Sequence, residues 1–291
     1  MKVGLIQQSN SNDYQKNLGY TLNEIKTLAS QGANLIVLQE LHTSIYFCQT
    51  ESQEYFTQAE SLDGPTSTAL AEAANKYNVV IVGSIFEKRS NGVFHNTAIV
   101  LDNDGSMPGY YRKMHIPDDP GYYEKYYFTP GDTGFTPVQT SIGRLGILIC
   151  WDQWFPESAR LMALAGAELL IFPTAIGWDR KDSDDEKQRQ LDAWITIQRS
   201  HSIANNLPLI SVNRCGLELD PSNQTTGIEF WGNSFACDAM GKIITSCDSN
   251  KNATCIADLD IQETEQQRLI WPYFRDRRID AYSDLTKRSI D

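Results

Sequence analysis

Cys150 ends the apolar run Leu145-Gly-Ile-Leu-Ile149 and is followed at once by Trp151-Asp-Gln153, a pattern that reads as a buried strand turning into a helix. A thiol in that position faces the first free N–H groups of the helix, whose dipole favours the thiolate. Two other ionisable groups stand at comparable places. Glu40 follows Leu35-Ile-Val-Leu38 directly, and Lys113 closes the stretch Gly109-Tyr-Tyr-Arg-Lys113. A thiol, a carboxylate and an ammonium delivered to the ends of apolar segments are the parts needed for nucleophilic attack on a carbonyl. Glu40 would take the thiol proton and later activate water, and Lys113 would stabilise thiolate and oxyanion. The Trp151 backbone N–H would supply half of an oxyanion hole. Taken singly, each residue has an ordinary reading: a small core residue, a solvated acid, a snorkelling lysine. Their agreement at three strand ends favours chemistry.

These residues need a scaffold of alternating helices and apolar strands. The first unit is a strand at Val3–Gln7, a helix over Tyr14–Gln31 with Leu18, Leu22, Ile25 and Leu28 at helical spacing, and a strand at Asn34–Leu38. A helix at Thr66–Tyr77 precedes strands at Val79–Phe86, Phe94–Leu101 and Gly109–Lys113, with Asp102-Asn-Asp-Gly105 as a hairpin-type turn. A long loop rich in Pro, Gly, Asp and Tyr covers Met114–Phe135, and loops of that length usually shape a pocket. Beyond Cys150 the pattern predicts a helix at Pro156–Gly166, a strand at Ala167–Phe172, a helix at Gln190–Asn205 and a strand at Leu209–Asn213. Strands at Gly232–Asp238, Lys242–Ser246 and Ala253–Asp258 follow. This alternation predicts an α/β protein with helix-covered sheets. No repeat or low-complexity tract interrupts it, so residues 1–260 form one domain and 261–291 a charged, aromatic extension.

The totals narrow the partners. The 291-residue chain carries a net charge of −12, which leaves no basic surplus for nucleic acid. No run approaches about 18 uninterrupted apolar residues, so no membrane span is predicted, and no export leader is visible at Met1. The six cysteines lack any C-x-x-C pair and read as reduced thiols, consistent with a cytoplasmic location.

Three of these segments carry a resemblance. Leu38-Gln-Glu40, Tyr111-Arg-Lys113-Met-His115-Ile-Pro117, and Gly146-Ile-Leu-Ile-Cys150-Trp-Asp152 with Phe155-Pro-Glu157 make the chain, over roughly residues 1 to 260, similar to the carbon–nitrogen hydrolase (nitrilase) superfamily. The resemblance implies a four-layer α-β-β-α sandwich, a Glu-Lys-Cys triad formed by Glu40, Lys113 and Cys150, and neither metal nor organic cofactor. It also implies a second glutamate after the lysine, which falls on Glu124, and a homo-oligomer with the C-terminal extension at an interface. A finer resemblance, to the branch of that family acting on N-carbamoylputrescine, runs through Tyr46-Phe-Cys48-Gln49, Pro117–Tyr122, Phe128–Phe135, Thr174–Gly177 and Trp271–Arg278. The segment Trp178–Glu186 departs from that pattern.

The implied small-molecule substrate needs its ureido group at Cys150 and an acid or aromatic face for a distal amine. Asp119, Trp178, Asp179 and Trp151 are candidates; a carbamoyl amino acid would instead call on Arg180, Lys181 or Arg214. His115 reads as a packing or pocket-wall residue, His42 with Cys48 lacks the further ligands of a metal site, and Asp182–Glu186 reads as a solvated loop face.

Overall fold

The computed structural model describes residues 1–291 and contains two six-stranded sheets packed face to face. In chain order the first sheet takes β1 (Lys2–Gln7), β2 (Leu35–Leu38), β3 (Val80–Ser90), β4 (Val93–Leu101) and β5 (Gly109–Arg112). The second takes β6 (Val138–Thr140), β7 (Gly143–Ile147), β8 (Leu169–Thr174), β10 (Leu209–Asn213), β13 (Phe235–Cys237) and β14 (Ile243–Ser246). The last strand, β15 (Ala253–Asp258), returns to the first sheet beside β1, giving the orders β15-β1-β2-β3-β4-β5 and β14-β13-β10-β8-β7-β6.

Side-chain alternation explains the layers. Val3 and Leu5 of β1 point with Val37, Val82 and Val100 into the core between the sheets, against Ile147, Ile171, Ile210 and Val212. The intervening residues Ile6, Ile36, Leu38, Ile81 and Ile99 face helices α1 (Tyr14–Ser30) and α2 (Pro65–Tyr77). A Cβ at Gly4 would come within 2.8 Å of Leu28, so glycine lets α1 seat directly on β1. Truncating a fully buried core leucine such as Leu5 to alanine costs about 2–5 kcal/mol. Helices α4 (Pro156–Leu164) and α5 (Asp184–Asn205) cover the second sheet, completing the α-β-β-α order. No helix is long and apolar enough to cross a membrane.

The structure departs from the sequence expectations in four places. Helix α5 starts at Asp184 rather than Gln190, so the acidic run is a helix N-terminus and not a loop. Ser183 caps it by accepting the Glu186 N–H, and Asp184, Asp185 and Glu186 complement the dipole. A third sheet, β9 (Gly177–Asp179) with β11 (Cys215–Glu218) and β12 (Ile228–Trp231), was not visible because its short strands are broken by glycines and acids such as Gly177, Gly216 and Glu229, so no apolar run marks them. Cys247 and Cys255 are not reduced thiols: they form a disulfide joining the end of β14 to β15, the neighbouring edge strands of the two sheets. Cys48, Cys150, Cys215 and Cys237 are free and buried. The fourth departure concerns Cys150 itself and is described below. After β15 the extension forms α6 (Ile261–Ile270) and two short 3-10 turns, with Leu269, Ile270, Ile279 and Ile290 each more than 70% exposed.

Candidate active site

Strand ends build the site. Glu40 comes two residues after β2, Lys113 directly after β5, and Cys150 three residues after β7. The four-residue helix α3 (Glu124–Tyr127) brings in Glu124 from the long loop. The Lys113 ammonium donates to Glu40 Oε1 at 2.8 Å and to Glu124 Oε2 at 2.7 Å. Asn96 Nδ2 donates to the same Glu40 oxygen at 2.6 Å, and the Tyr46 hydroxyl donates to Glu124 Oε1 at 2.6 Å. Glu40, Lys113 and Glu124 have no solvent exposure. Glu40 Oε2 is buried with no hydrogen-bond partner, so one carboxylate oxygen is left free to accept a proton.

Cys150 has φ +42°, a left-handed backbone that non-glycine residues seldom adopt and that marks a sharp turn after a strand. The sequence predicts a helix N-terminus here; the structure has a 3-10 turn over Cys150–Trp154, and α4 begins only at Pro156. Five residues of 3-10 turn carry little macrodipole. Burial and the Glu40 charge push the Cys150 thiol well above its usual value, against the pull of Lys113. The resting sulfur therefore keeps its proton, which it donates weakly to the Ala175 carbonyl at 3.7 Å. Within the turn the first bond is donated by the Asp152 N–H to Ile149 O, so the Trp151 N–H precedes the first internal donor.

The cluster is electrostatically interlocked. Burial opposes the charge on Lys113, but Glu124 and Glu40 outweigh it and hold the ammonium well above its ordinary range. Burial lifts Glu124 to about 7, with Glu40 adding to the rise and Lys113 and Tyr46 opposing it. A carboxyl poised there can exchange a proton at neutral pH.

A cavity of about 360 Å³ opens onto Cys150 and Trp151 and is walled by Tyr122, Trp154, Ile176 and Trp231. Asp119 and Asp179 line it, as the sequence predicts, together with Asp182, just before α5 and expected to be a solvated loop acid, and Arg189 and Gln190 of α5, which the sequence did not single out. Trp178 does not line it. Its indole N–H donates to Lys187 O, and the residue borders an adjacent cavity of about 370 Å³ shared with Asp179 and Lys181. Nor does Arg214 face a substrate: it is fully buried, paired with Glu218 at 2.7 Å and donating to the carbonyls of Glu40, Leu41 and Ser44. His115 stacks on Phe155 with ring centroids 3.8 Å apart and bonds to Asp152. No group of three or more His, Cys, Asp or Glu side chains is arranged to hold a metal ion.

A family model described as carbon-nitrogen hydrolase matches residues 2–269. The chain belongs to the carbon-nitrogen hydrolase family. Among relatives of this hydrolase, the N-carbamoylputrescine amidase of Solanum lycopersicum is 39% identical over 285 residues, covering 97% of this chain and 94% of that protein. The citrullinase of Francisella tularensis is 38% identical over 289 residues, covering 99% of both. A crystal structure of a carbon-nitrogen hydrolase from Helicobacter pylori G27 superposes with a TM-score of 0.97 at 49% identity, covering 100% of this chain and 99% of that one. This carbon-nitrogen hydrolase is thus a cysteine-nucleophile amidohydrolase acting on a non-peptide C–N bond of a carbamoyl or amide compound.

Proposed function

We propose that this hydrolase cleaves N-carbamoylputrescine to putrescine, carbon dioxide and ammonia. One observation carries the choice of substrate: the cavity running from Cys150 is lined by three carboxylates, Asp119, Asp179 and Asp182, among aromatic walls. That lining suits a slender chain ending in a cationic amine. Its one cation, Arg189, is already engaged by Glu186 through two bonds of 2.8 Å. The similarity to the amidase of Solanum lycopersicum supports the same reading.

In the proposed reaction Glu40 takes the Cys150 proton as the sulfur attacks the ureido carbonyl. Lys113 and the Trp151 N–H hold the oxyanion, and Glu124 keeps Lys113 charged and in place. Glu40 gives that proton to the departing nitrogen as the intermediate collapses, leaving a thioester. Glu40 then takes a proton from water, whose oxygen attacks the same carbon. The second collapse, with Glu40 returning that proton to sulfur, frees the thiol and releases a carbamic acid that loses carbon dioxide to give the second amine. The protonated resting thiol fits a proton transfer that accompanies attack. Trp178, once its indole is committed to Lys187 O, has no part in this scheme.

Arg189 at the cavity wall favours a second reading, a ureido amino acid such as citrulline or carbamoyl-β-alanine, whose carboxylate would compete with Glu186. Comparing kcat/KM for carbamoylputrescine, citrulline and carbamoyl-β-alanine, with ammonia and amine both measured, decides between them. A preference for either amino acid would overturn the putrescine reading. We further propose that residues 1–260 form the catalytic domain and that the extension, with its exposed apolar side chains, packs against a second copy of the chain.

A further inference from the structure

Asp152, two residues past Cys150, is sealed from solvent and does not line the cavity. Its Oδ2 accepts the Ile149 N–H at 2.9 Å and the Tyr111 hydroxyl at 2.9 Å. Its Oδ1 accepts the His115 N–H at 3.0 Å and bonds His115 Nδ1 at 2.6 Å, with the ring nitrogen assigned as donor because a carboxylate only accepts. The placement of these partners is what matters. Ile149 precedes Cys150, while Tyr111 and His115 stand two residues before and two after Lys113. The His115 ring is held in turn by its stack on Phe155, at the end of the Cys150 turn.

We propose that Asp152 is a positioning residue, a buried carboxylate tie that sets the Cys150 sulfur against the Lys113 ammonium. The proposal rests on the reading of Cys150 as nucleophile and Lys113 as oxyanion partner. Lys113 follows an edge strand of the first sheet and Cys150 follows a strand of the second. No backbone ladder joins strands of different sheets, so side chains must fix the spacing between the two groups. Asp152 reaches both sides at once. It also stabilises the left-handed turn at Cys150 through its paired bonds with Ile149, because such backbone persists only where its surroundings over-determine it. A plain turn cap would need the Ile149 bond alone; the bonds to Tyr111 and His115 serve alignment across the sheets.

The test uses the full chain carrying Tyr111→Phe, His115→Phe (which keeps a ring on Phe155), both together, and Asp152→Asn. Each is assayed for kcat, KM, Tm and the rate of Cys150 alkylation by iodoacetamide, beside Cys150→Ser. Because misplacement by about 1 Å can cost on the order of a hundredfold, we expect kcat to fall severalfold in each single phenylalanine variant and about a hundredfold in the double. KM should stay within about twofold, and alkylation should slow in parallel. A lowered Tm with kcat intact in the folded protein would overturn the proposal, leaving only a structural role. Should Asp152→Asn fail to fold, the Tyr111 and His115 variants still decide. Normal turnover by Cys150→Ser overturns the nucleophile reading and this proposal with it; an inert Cys150→Ser beside a fully active double variant overturns this proposal alone.

Discussion

The Tyr46 hydroxyl donates to Glu124 at 2.6 Å while the Tyr46 N–H donates to Glu218 at 2.6 Å, so one residue joins the Lys113 cluster to the buried Arg214–Glu218 pair. Tyr46→Phe removes a bond that lowers the Glu124 pKa, so that carboxyl should rise above its present value of about 7. More of it is then protonated at neutral pH, where Lys113 loses a counter-charge. The acid limb of the kcat/KM profile should move to higher pH, with activity at pH 7 reduced severalfold. An unmoved limb in a folded variant would show that Glu124 does not govern the profile.

Glu124 also couples stability to pH. Its folded value of about 7 lies above the 4.5 of an unperturbed glutamate, so the folded state binds the extra proton between those values. Its contribution is therefore fully present below about 4.5 and is lost as pH rises through about 7. Glu124→Gln stays neutral throughout, so its Tm relative to the parent should increase from pH 5 to about pH 7 and level off above that. A constant difference across that range would contradict the burial of an ionisable carboxyl here.

Cys150→Ser should fold normally and lose at least about a thousandfold in turnover, because a hydroxyl is a far weaker nucleophile beside the same base. Circular dichroism and an ammonia-release assay check both halves. Near-parental turnover would remove the proposed mechanism.

Leu269 and Ile270 are 83% and 74% exposed on α6. Leu269→Asp with Ile270→Asp should cost the protomer little, since surface substitutions usually stay within about 0.5 kcal/mol each. Light scattering should register a drop in molar mass from an oligomer toward a single chain. Equal masses for variant and parent would dismiss the interface role of the extension.

Reducing the Cys247–Cys255 bridge, which closes a loop with a sequence separation of 8, should lower stability by about 2–3 kcal/mol. The Tm should fall by a few degrees under a dithiol reductant, and Cys255→Ser should remove that sensitivity. A parent Tm indifferent to reductant would argue that the bridge contributes nothing.

The placement of Glu40, Lys113 and Cys150 at strand ends was legible because each closes a strand-like run, and strand ends are where a sandwich can display chemistry. Glu124 was reachable only through family resemblance, since nothing in Tyr123-Glu-Lys125 separates it from a solvated acid. Asn96 and Tyr46 carried no signal: their partners lie 56 and 78 residues away, and only tertiary packing pairs them. Asp182 was hidden inside an acidic run whose helical start depends on the Ser183 cap. Arg214, weighed as an anion binder, is consumed by Glu218 and three carbonyls, a fate set by the short third sheet that its neighbours Cys215–Glu218 help to form.

The two sheets meet at rims of unlike character. At one, a disulfide joins the end of β14 to β15; at the other, Gly109 of β5 nests against Val138 of β6, and only hydrogen bonds such as Tyr111 to Asp152 and Ser141 to Asp102 cross between the sheets. Thermal breathing of the sandwich should be lopsided, hinged on the covalent rim and gaping at the nested one. Deuterium should therefore enter the amides of β5 and β6 sooner than those of β14 and β15, and Lys113, whose strand forms the looser rim, would feel each opening first.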